Sequence, residues 1–248
     1  MSLRANARRL AHPFVRLHAC FRKELERLRE VRRALKVMRA RSPAQIHRIA
    51  IHEAGHAALQ IALDFDCKAV TVCPIPGRRI AGFSLHGGLP AHISGEKNVA
   101  PSERQTVERR ELYLRLAMVD YAGAEAVRQL IPTDPDPEVG AWGDERSAAD
   151  NIIDHIGASP ESIYLLFSLA RRRCALLVTH YQPEIKALAG ALEVKQMLSG
   201  KAARDVFTRS LRERSGRLMT FKTDPILHPL AEDEAYQAFL RRLNLRGE

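Results

Sequence analysis

The feature that most constrains this chain is the run His52-Glu53-Ala54-Gly55-His56, in which two histidines stand four residues apart. On a helix, residues four apart lie one above the other, so both imidazoles can reach one ion at roughly 2.0–2.1 Å. Apolar positions keep a helical period from residue 45 to about residue 63. Ser42-Pro43 precedes them with the residues typical of a helix start. The run therefore predicts a metal-binding helix.

Glu53 follows the first histidine and is rotated from it by about 100° on an ideal helix. We expect its carboxylate beside the open position of a metal held by His52 and His56. From there it can take a proton from a bound water, whose pKa zinc lowers towards roughly 7, and pass it to a leaving amine. We therefore predict zinc as cofactor and Glu53 as general base. The alternative is a surface helix with two incidental histidines.

Gly55 lies inside this predicted helix, where glycine costs about 1 kcal/mol relative to alanine. The close approach of another backbone, or of substrate, would explain it. A glycine that is simply tolerated is the alternative interpretation.

The third metal ligand must come from farther along the chain, because a catalytic zinc usually has three protein ligands. The residues three and six positions beyond His56 are leucine and alanine, which excludes the metzincin extension. Asp144 is the first candidate, because it begins a predicted helix and shares its inward face with Ala148 and Ile152. Asp120 is the rival, on the inward face of another predicted helix. A helix N-cap is the alternative role for Asp144, so the pattern leaves the choice open.

The remaining patterns predict an α+β fold that is mainly α-helical, with a small β-sheet or hairpin beside the metal-binding helix. Two short strands are expected at 69–72 and 80–85, with proline and glycine between them. A loop rich in proline and aspartate follows at 132–137. The predicted helices after the strands are 103–130, 144–157, 160–180, 183–197, 201–214 and 231–244.

The charge is concentrated at the N-terminus, where residues 1–41 hold 13 Lys/Arg against 3 Asp/Glu and the remainder is neutral. Residues 14–40 read as one helix with an apolar stripe: Phe21, Leu25, Leu28, Leu35 and Met38. Either this basic helix packs on the body by its stripe, or it binds an acidic protein, nucleic acid or anionic membrane surface.

Composition bounds the class of protein. The chain has 248 residues, 46% hydrophobic and 27% charged, as in globular domains. Its cysteines form no CxxC pair, which favours reduced thiols and a cytoplasmic location, and they are Cys20, Cys67, Cys73 and Cys174. The sequence contains no run of 18 apolar residues, so no membrane span is predicted. It also contains no GxxxxGK[ST] loop, so no Walker-type ATPase is predicted. The Arg-rich start leaves a transit peptide as a second option.

The sequence resembles the peptidase domain of the FtsH family of zinc metalloproteases over about residues 45–212. Five segments match that family in order. They are His52-Glu53-Ala54-Gly55-His56-Ala57; Val70-Thr71-Val72-Cys73-Pro74 with Ala81-Gly82-Phe83; Ala122-Gly123-Ala124-Glu125-Ala126; Gly140-Ala141-Trp142-Gly143-Asp144; and the closing helices at 184–207.

The resemblance implies a helical zincin-like peptidase domain at 42–212, between a basic arm at 1–41 and a C-terminal helical extension at 213–248. It implies a zinc endopeptidase in which Asp144 joins His52 and His56 as ligand and Glu53 acts as base. Substrate is expected to add as a strand beside segment 70–72 or segment 80–85. The residues expected to bind it are Val70, Thr71, Val72 and Gly82.

The sequence also departs from the family. Val127-Arg128 replaces an acidic pair, which leaves Glu125 as the source of any additional carboxylate, and Gly143 replaces an asparagine. The family carries transmembrane segments and an AAA+ ATPase, and we find neither in this sequence. We therefore expect unfolded proteins or peptides as substrates, with a separate AAA+ ATPase for folded ones. A homo-oligomer is a further partner to consider.

Two other classes of function remain open. One is a metal-containing binding or adaptor module that uses the basic arm and has weak or no peptidase activity. The other is a structural metalloprotein, against which Glu53 argues, because a structural zinc needs no base. Peptide hydrolysis separates both classes from the enzyme.

Overall fold

The computed structural model describes residues 36–75, 81–87, 103–137, 141–156 and 160–215, together with residues 26, 29, 30, 32 and 33. This part is mainly helical with one small antiparallel sheet, which confirms the predicted α+β class. Its elements are α1 (Pro43–Ala62), β1 (Cys67–Thr71), β2 (Phe83–His86), α2 (Glu103–Leu130), α3 (Trp142–Ile156), α4 (Pro160–His180), α5 (Gln182–Lys195), β3 (Met197–Ser199) and α6 (Gly200–Ser215).

Helix α1 is the central element of the fold. Its start is a capping box, in which Ser42 Oγ accepts from the Gln45 amide and Gln45 Oε1 accepts from the Ser42 amide. All residues from 50 to 62 are buried, including both histidines of the motif. The helix packs chiefly on α2 and α5, and the sheet lies beside it. The metal motif therefore sits in the core.

The sheet has the order β2-β1-β3, and both pairings are antiparallel. Val70 of β1 pairs with Ser84 of β2 and with Leu198 of β3. Val70 and Leu198 are buried, and Ser84 Oγ donates to Gln60 Oε1 of α1. This face of the sheet therefore covers α1 next to the motif.

Strand β3 corrects the prediction of a helix at 183–197. Helix α5 ends at Lys195, and Gln196 turns the chain with a φ of 60°. The Gln196 carbonyl accepts from the Val72 amide and from Thr71 Oγ1. A Cβ at residue 200 would lie 1.7 Å from Cys67 O, so only glycine permits this close pairing. Three residues are too few for a strand period to show in the sequence.

The other predicted elements agree within a few residues, apart from the second strand, which begins at Phe83. Within the predicted arm, the described positions from 26 to 40 are helical, and Met38 is buried in the core. The rest of the 14–40 helix, its other stripe residues and the 231–244 helix lie outside the described residues. Cys67, Cys73 and Cys174 are free thiols. Across the described helices, none combines the length and apolarity that a membrane crossing requires.

Gly55 marks the crossing of α1 and α2. A Cβ at this position would lie 2.5 Å from Ala122 O and 2.8 Å from Ala126 Cβ. The close approach of another backbone, which the sequence suggested, is therefore present.

We expect Gly55→Ala to lower the free energy of unfolding by about 1–3 kcal/mol, because the added methyl group must push α2 away. The matched control is Gly190→Ala in α5, where no atom lies within 4 Å of the added Cβ. That change should stabilise the protein by up to about 1 kcal/mol. Urea denaturation measures both, and equal stabilities for the two variants would contradict the prediction.

Candidate metal centre

Three side chains converge at the middle of α1. His52 Nε2 lies 3.0 Å from Asp144 Oδ2, His56 Nε2 lies 3.3 Å from the same oxygen, and the two Nε2 atoms are 3.1 Å apart. Ligand atoms around a tetrahedral ion bound at about 2.0–2.1 Å are about 3.3–3.4 Å from one another. The three atoms are thus spaced as ligands of one ion would be. This group could hold a metal ion.

The tautomer of His56 supports this interpretation. Its Nδ1 lies 2.7 Å from Val119 O and donates to that carbonyl, so a neutral ring carries its lone pair on Nε2. That lone pair faces the Asp144 carboxylate. Two lone pairs in contact repel, and a cation between them makes the arrangement favourable. The cation is either a proton on His56 Nε2 or a metal ion.

The electrostatics of the metal-free chain favour positive charge here. Burial lowers the pKa of His56, but the hydrogen bond and charge of Asp144, with the charge of Glu53, raise it to about 9. Burial raises the pKa of Asp144, and its hydrogen bonds with His52 and His56 outweigh this and hold it well below its usual range. Both shifts favour a positive charge next to the Asp144 carboxylate.

His52 differs from His56 in its surroundings. Its Nδ1 is buried and has no hydrogen-bond partner among the described residues. Burial also lowers the pKa of this ring, which disfavours its charged form. A metal bound at Nε2 requires the neutral ring with its proton on Nδ1, and the buried, neutral His52 can supply that form.

Glu53 lies beside the group and contributes no atom to it. Burial is the main reason that the pKa of its carboxyl is raised to about 8, and the charge of His56 offsets part of that effect. A Cβ at Gly82 would lie 2.9 Å from both Cγ and Oε1 of Glu53. The main chain at Gly82 therefore packs directly on this carboxylate.

The rival ligand Asp120 has other partners. It accepts a hydrogen bond from Asn151 Nδ2 at 2.9 Å, and burial raises the pKa of its carboxyl to about 6. Glu125 is bound by Arg128 and Gln129 of its own helix. The structure thus brings Asp144, and neither Asp120 nor Glu125, to the two histidines.

Gly123 of α2 is a residue of the site that sequence reasoning missed. A Cβ at this position would lie 2.4 Å from His56 Nε2 and 2.7 Å from His52 Nε2. Any side chain would therefore occupy the space where the three ligand atoms meet. The only signal in the sequence was the run of small residues that contains Gly123.

Arg48 lies on α1, one turn before His52, and binds the loop that follows α2. Its Nε donates to Asp134 Oδ2 at 2.6 Å, and its Nη2 donates to Asp136 O at 2.9 Å. This loop leads towards α3, whose first turn carries Asp144. The contact therefore fixes this loop against α1.

The residues predicted to bind substrate differ in their position in the sheet. Val70 and Thr71 lie in the central strand, and the Val72 amide donates to Gln196 O. All three are buried. A strand has no free edge beside segment 70–72, because β2 and β3 already occupy both sides of β1. In the described sheet the outer edge of β2 has no neighbouring strand. Strand β2 overlaps segment 80–85, the other place where substrate was expected to add.

A small cleft borders the group at Asp144. Its walls come from α2, α3 and α4, and they include Asp120, Tyr121, Asp144 and Arg171. Arg171 stacks 5.0 Å over the centre of the Tyr121 ring. The Asp144 side chain remains 33% exposed, so the cluster is not sealed from solvent.

No protein-family model matches the chain, and no curated protein sequence matches it. The proposals that follow therefore depend on the motifs and on the geometry of the site.

We expect Gly123→Ala to lower the affinity for zinc by at least about 10–100-fold, since the new methyl group displaces both imidazoles. The matched control is Gly143→Ala, next to Asp144, where no atom lies within 4 Å of the added Cβ. Titration against a chromophoric chelator measures the dissociation constants. Similar constants for the two variants would show that the three side chains do not meet at one ion.

Proposed function

We propose that this chain is a zinc-dependent endopeptidase, with a helical zincin-like domain related to the FtsH peptidases. The observation that supports this most strongly is the convergence of two imidazole nitrogens and one carboxylate oxygen within 3.3 Å, beside a buried glutamate. His52, His56 and Asp144 would hold the zinc. When bound there, zinc supplies Lewis acidity, which polarises a peptide carbonyl and acidifies water.

The number of ligands favours a catalytic zinc over a structural one. A structural zinc is almost always held by four protein ligands, whereas a catalytic zinc keeps one position for water or substrate. In the part of the chain that the structure describes, no fourth histidine, cysteine or carboxylate joins the group. Asp120, the nearest alternative on α2, is engaged by Asn151.

Glu53 is the general base of the proposed reaction. It follows His52 on α1 and stays outside the ligand group. Because burial raises the pKa of its carboxyl, Glu53 can accept a proton from attacking water and return it to the leaving amine. A divalent cation nearby would lower that pKa and keep the carboxylate ionised before attack.

Substrate would bind as an extended strand along β2, because no described strand pairs with its outer edge, which lies next to Gly82 and Glu53. Main-chain hydrogen bonds would hold it with little demand on sequence. Strand addition requires an extended chain, so peptides and unfolded segments are the proposed substrates. A folded protein would need a separate AAA+ ATPase to unfold it.

We expect Glu53→Gln to bind one zinc per chain, as the wild type does, and to lose about 10²–10⁴-fold in kcat, because the amide cannot accept the proton. Inductively coupled plasma mass spectrometry gives the zinc content, and cleavage of a quenched fluorescent peptide or unstructured casein gives kcat.

Glu213→Gln is the matched control, because this exposed glutamate on α6 is remote from the motif in sequence and should keep full activity. If the zinc-loaded wild type cleaves neither substrate, alone or with cell extract, the proposed function is wrong. Equal kcat for Glu53→Gln and the wild type would remove Glu53 from the reaction.

A further inference from the structure

Arg41 joins two segments of main chain next to the proposed base. Its Nη1 donates to Val72 O at 2.7 Å, and its Nη2 donates to Ala81 O at 3.0 Å. Val72 follows β1, and Ala81 precedes β2. One planar guanidinium thus fixes the spacing between the end of one strand and the approach to the next.

The contact begins where the strand pairing stops. The β1–β2 register ends at the pair of Thr71 and Phe83. At the next position the Val72 amide donates to Gln196 O, which continues the pairing on the β3 side. Arg41 therefore takes the place of the missing main-chain bonds between the two segments.

The segment that Arg41 holds is the one that touches Glu53. A Cβ at Gly82 would lie 2.6 Å from Thr71 O and 2.9 Å from Glu53 Oε1. Gly82 is thus packed between strand β1 and the carboxylate. Any movement of the Ala81 carbonyl away from Val72 would loosen the contact of Gly82 with Glu53.

Arg41 is itself held in place by the core. Its Nη1 lies 3.3 Å from Met38 Sδ, and the Met38 side chain is buried in the hydrophobic core. Met38 belongs to the helical turn that precedes Arg41. The core therefore holds the guanidinium in the position from which it binds the two carbonyls.

We propose that Arg41 is a positioning residue for the general base, and this inference rests on the proposed peptidase function. It holds Ala81-Gly82 against Glu53, and so fixes the carboxylate where it must take a proton from water. Lysine cannot replace it, because a single ammonium group does not present two donors in a fixed plane.

The test compares Arg41→Ala and Arg41→Lys with the wild type in zinc content, melting temperature and steady-state peptide hydrolysis. Both variants should keep one zinc per chain. Both should lose about 10–100-fold in kcat, with KM changed by less than about twofold, because the base is misplaced while β2 keeps its pairing with β1 from Phe83 onwards. Arg39→Ala, which removes an exposed charge two residues away, should behave as the wild type.

Guanidinium ion added at low concentration provides a readout that a purely structural role would not give. It should restore part of the kcat of Arg41→Ala and none of that of Arg41→Lys, whose ammonium group fills the site. A protein that was only destabilised would lose further activity in guanidinium.

The outcomes separate the two proposals. If the wild type hydrolyses peptides and Arg41→Lys keeps full kcat, or if both variants lose zinc, the positioning role is wrong and the peptidase remains. If the zinc-loaded wild type hydrolyses nothing, the peptidase proposal fails, and the role of Arg41 fails with it.

Discussion

The structure depends on one electrostatic requirement at the centre of the molecule. A neutral His56 donates from Nδ1 to Val119 O, which leaves its other nitrogen facing the carboxylate of Asp144 at 3.3 Å. A positive charge between them, either a proton or a metal ion, stabilises such a pair. His52 adds a third atom to the same space. The buried middle of α1 thus carries two of the three side chains that could hold a metal ion.

Close helix packing makes this arrangement possible. Gly55 lets the backbones of α1 and α2 approach until only a hydrogen atom fits between them, and Gly123 leaves room for both imidazole rings. Helix α3 then brings Asp144 across the same crossing, with the Arg48–Asp134 contact holding the loop that precedes it. Two glycines with no chemistry of their own therefore determine whether the ligand atoms can meet.

The sheet positions the main chain at Gly82, which packs on the Glu53 carboxylate. Pairing of β1 with both β2 and β3 buries segment 70–72 and gives it a structural role, and in the described sheet β2 is an outer strand. Gly82 lies just before that strand and against Glu53. The proposed base, the edge for substrate and the Arg41 contact thus occupy one small region. This grouping supports the proposal that the substrate is a peptide.

The sequence alone determined the local features: the helix that carries the two histidines, its start at Ser42-Pro43, the long helices and the general α+β class. These depend on residues a few positions apart, whose spacing is visible in a single chain. Only the tertiary structure decided between Asp144 and Asp120, revealed Gly123, placed β3 and put Arg41 next to the proposed base. Each of these depends on side chains or carbonyls that are 31 to 125 residues apart in sequence, as for Arg41–Val72 and Thr71–Gln196. Helical periodicity shows which face of a helix is buried. Which other element packs on that face depends on how the helices cross.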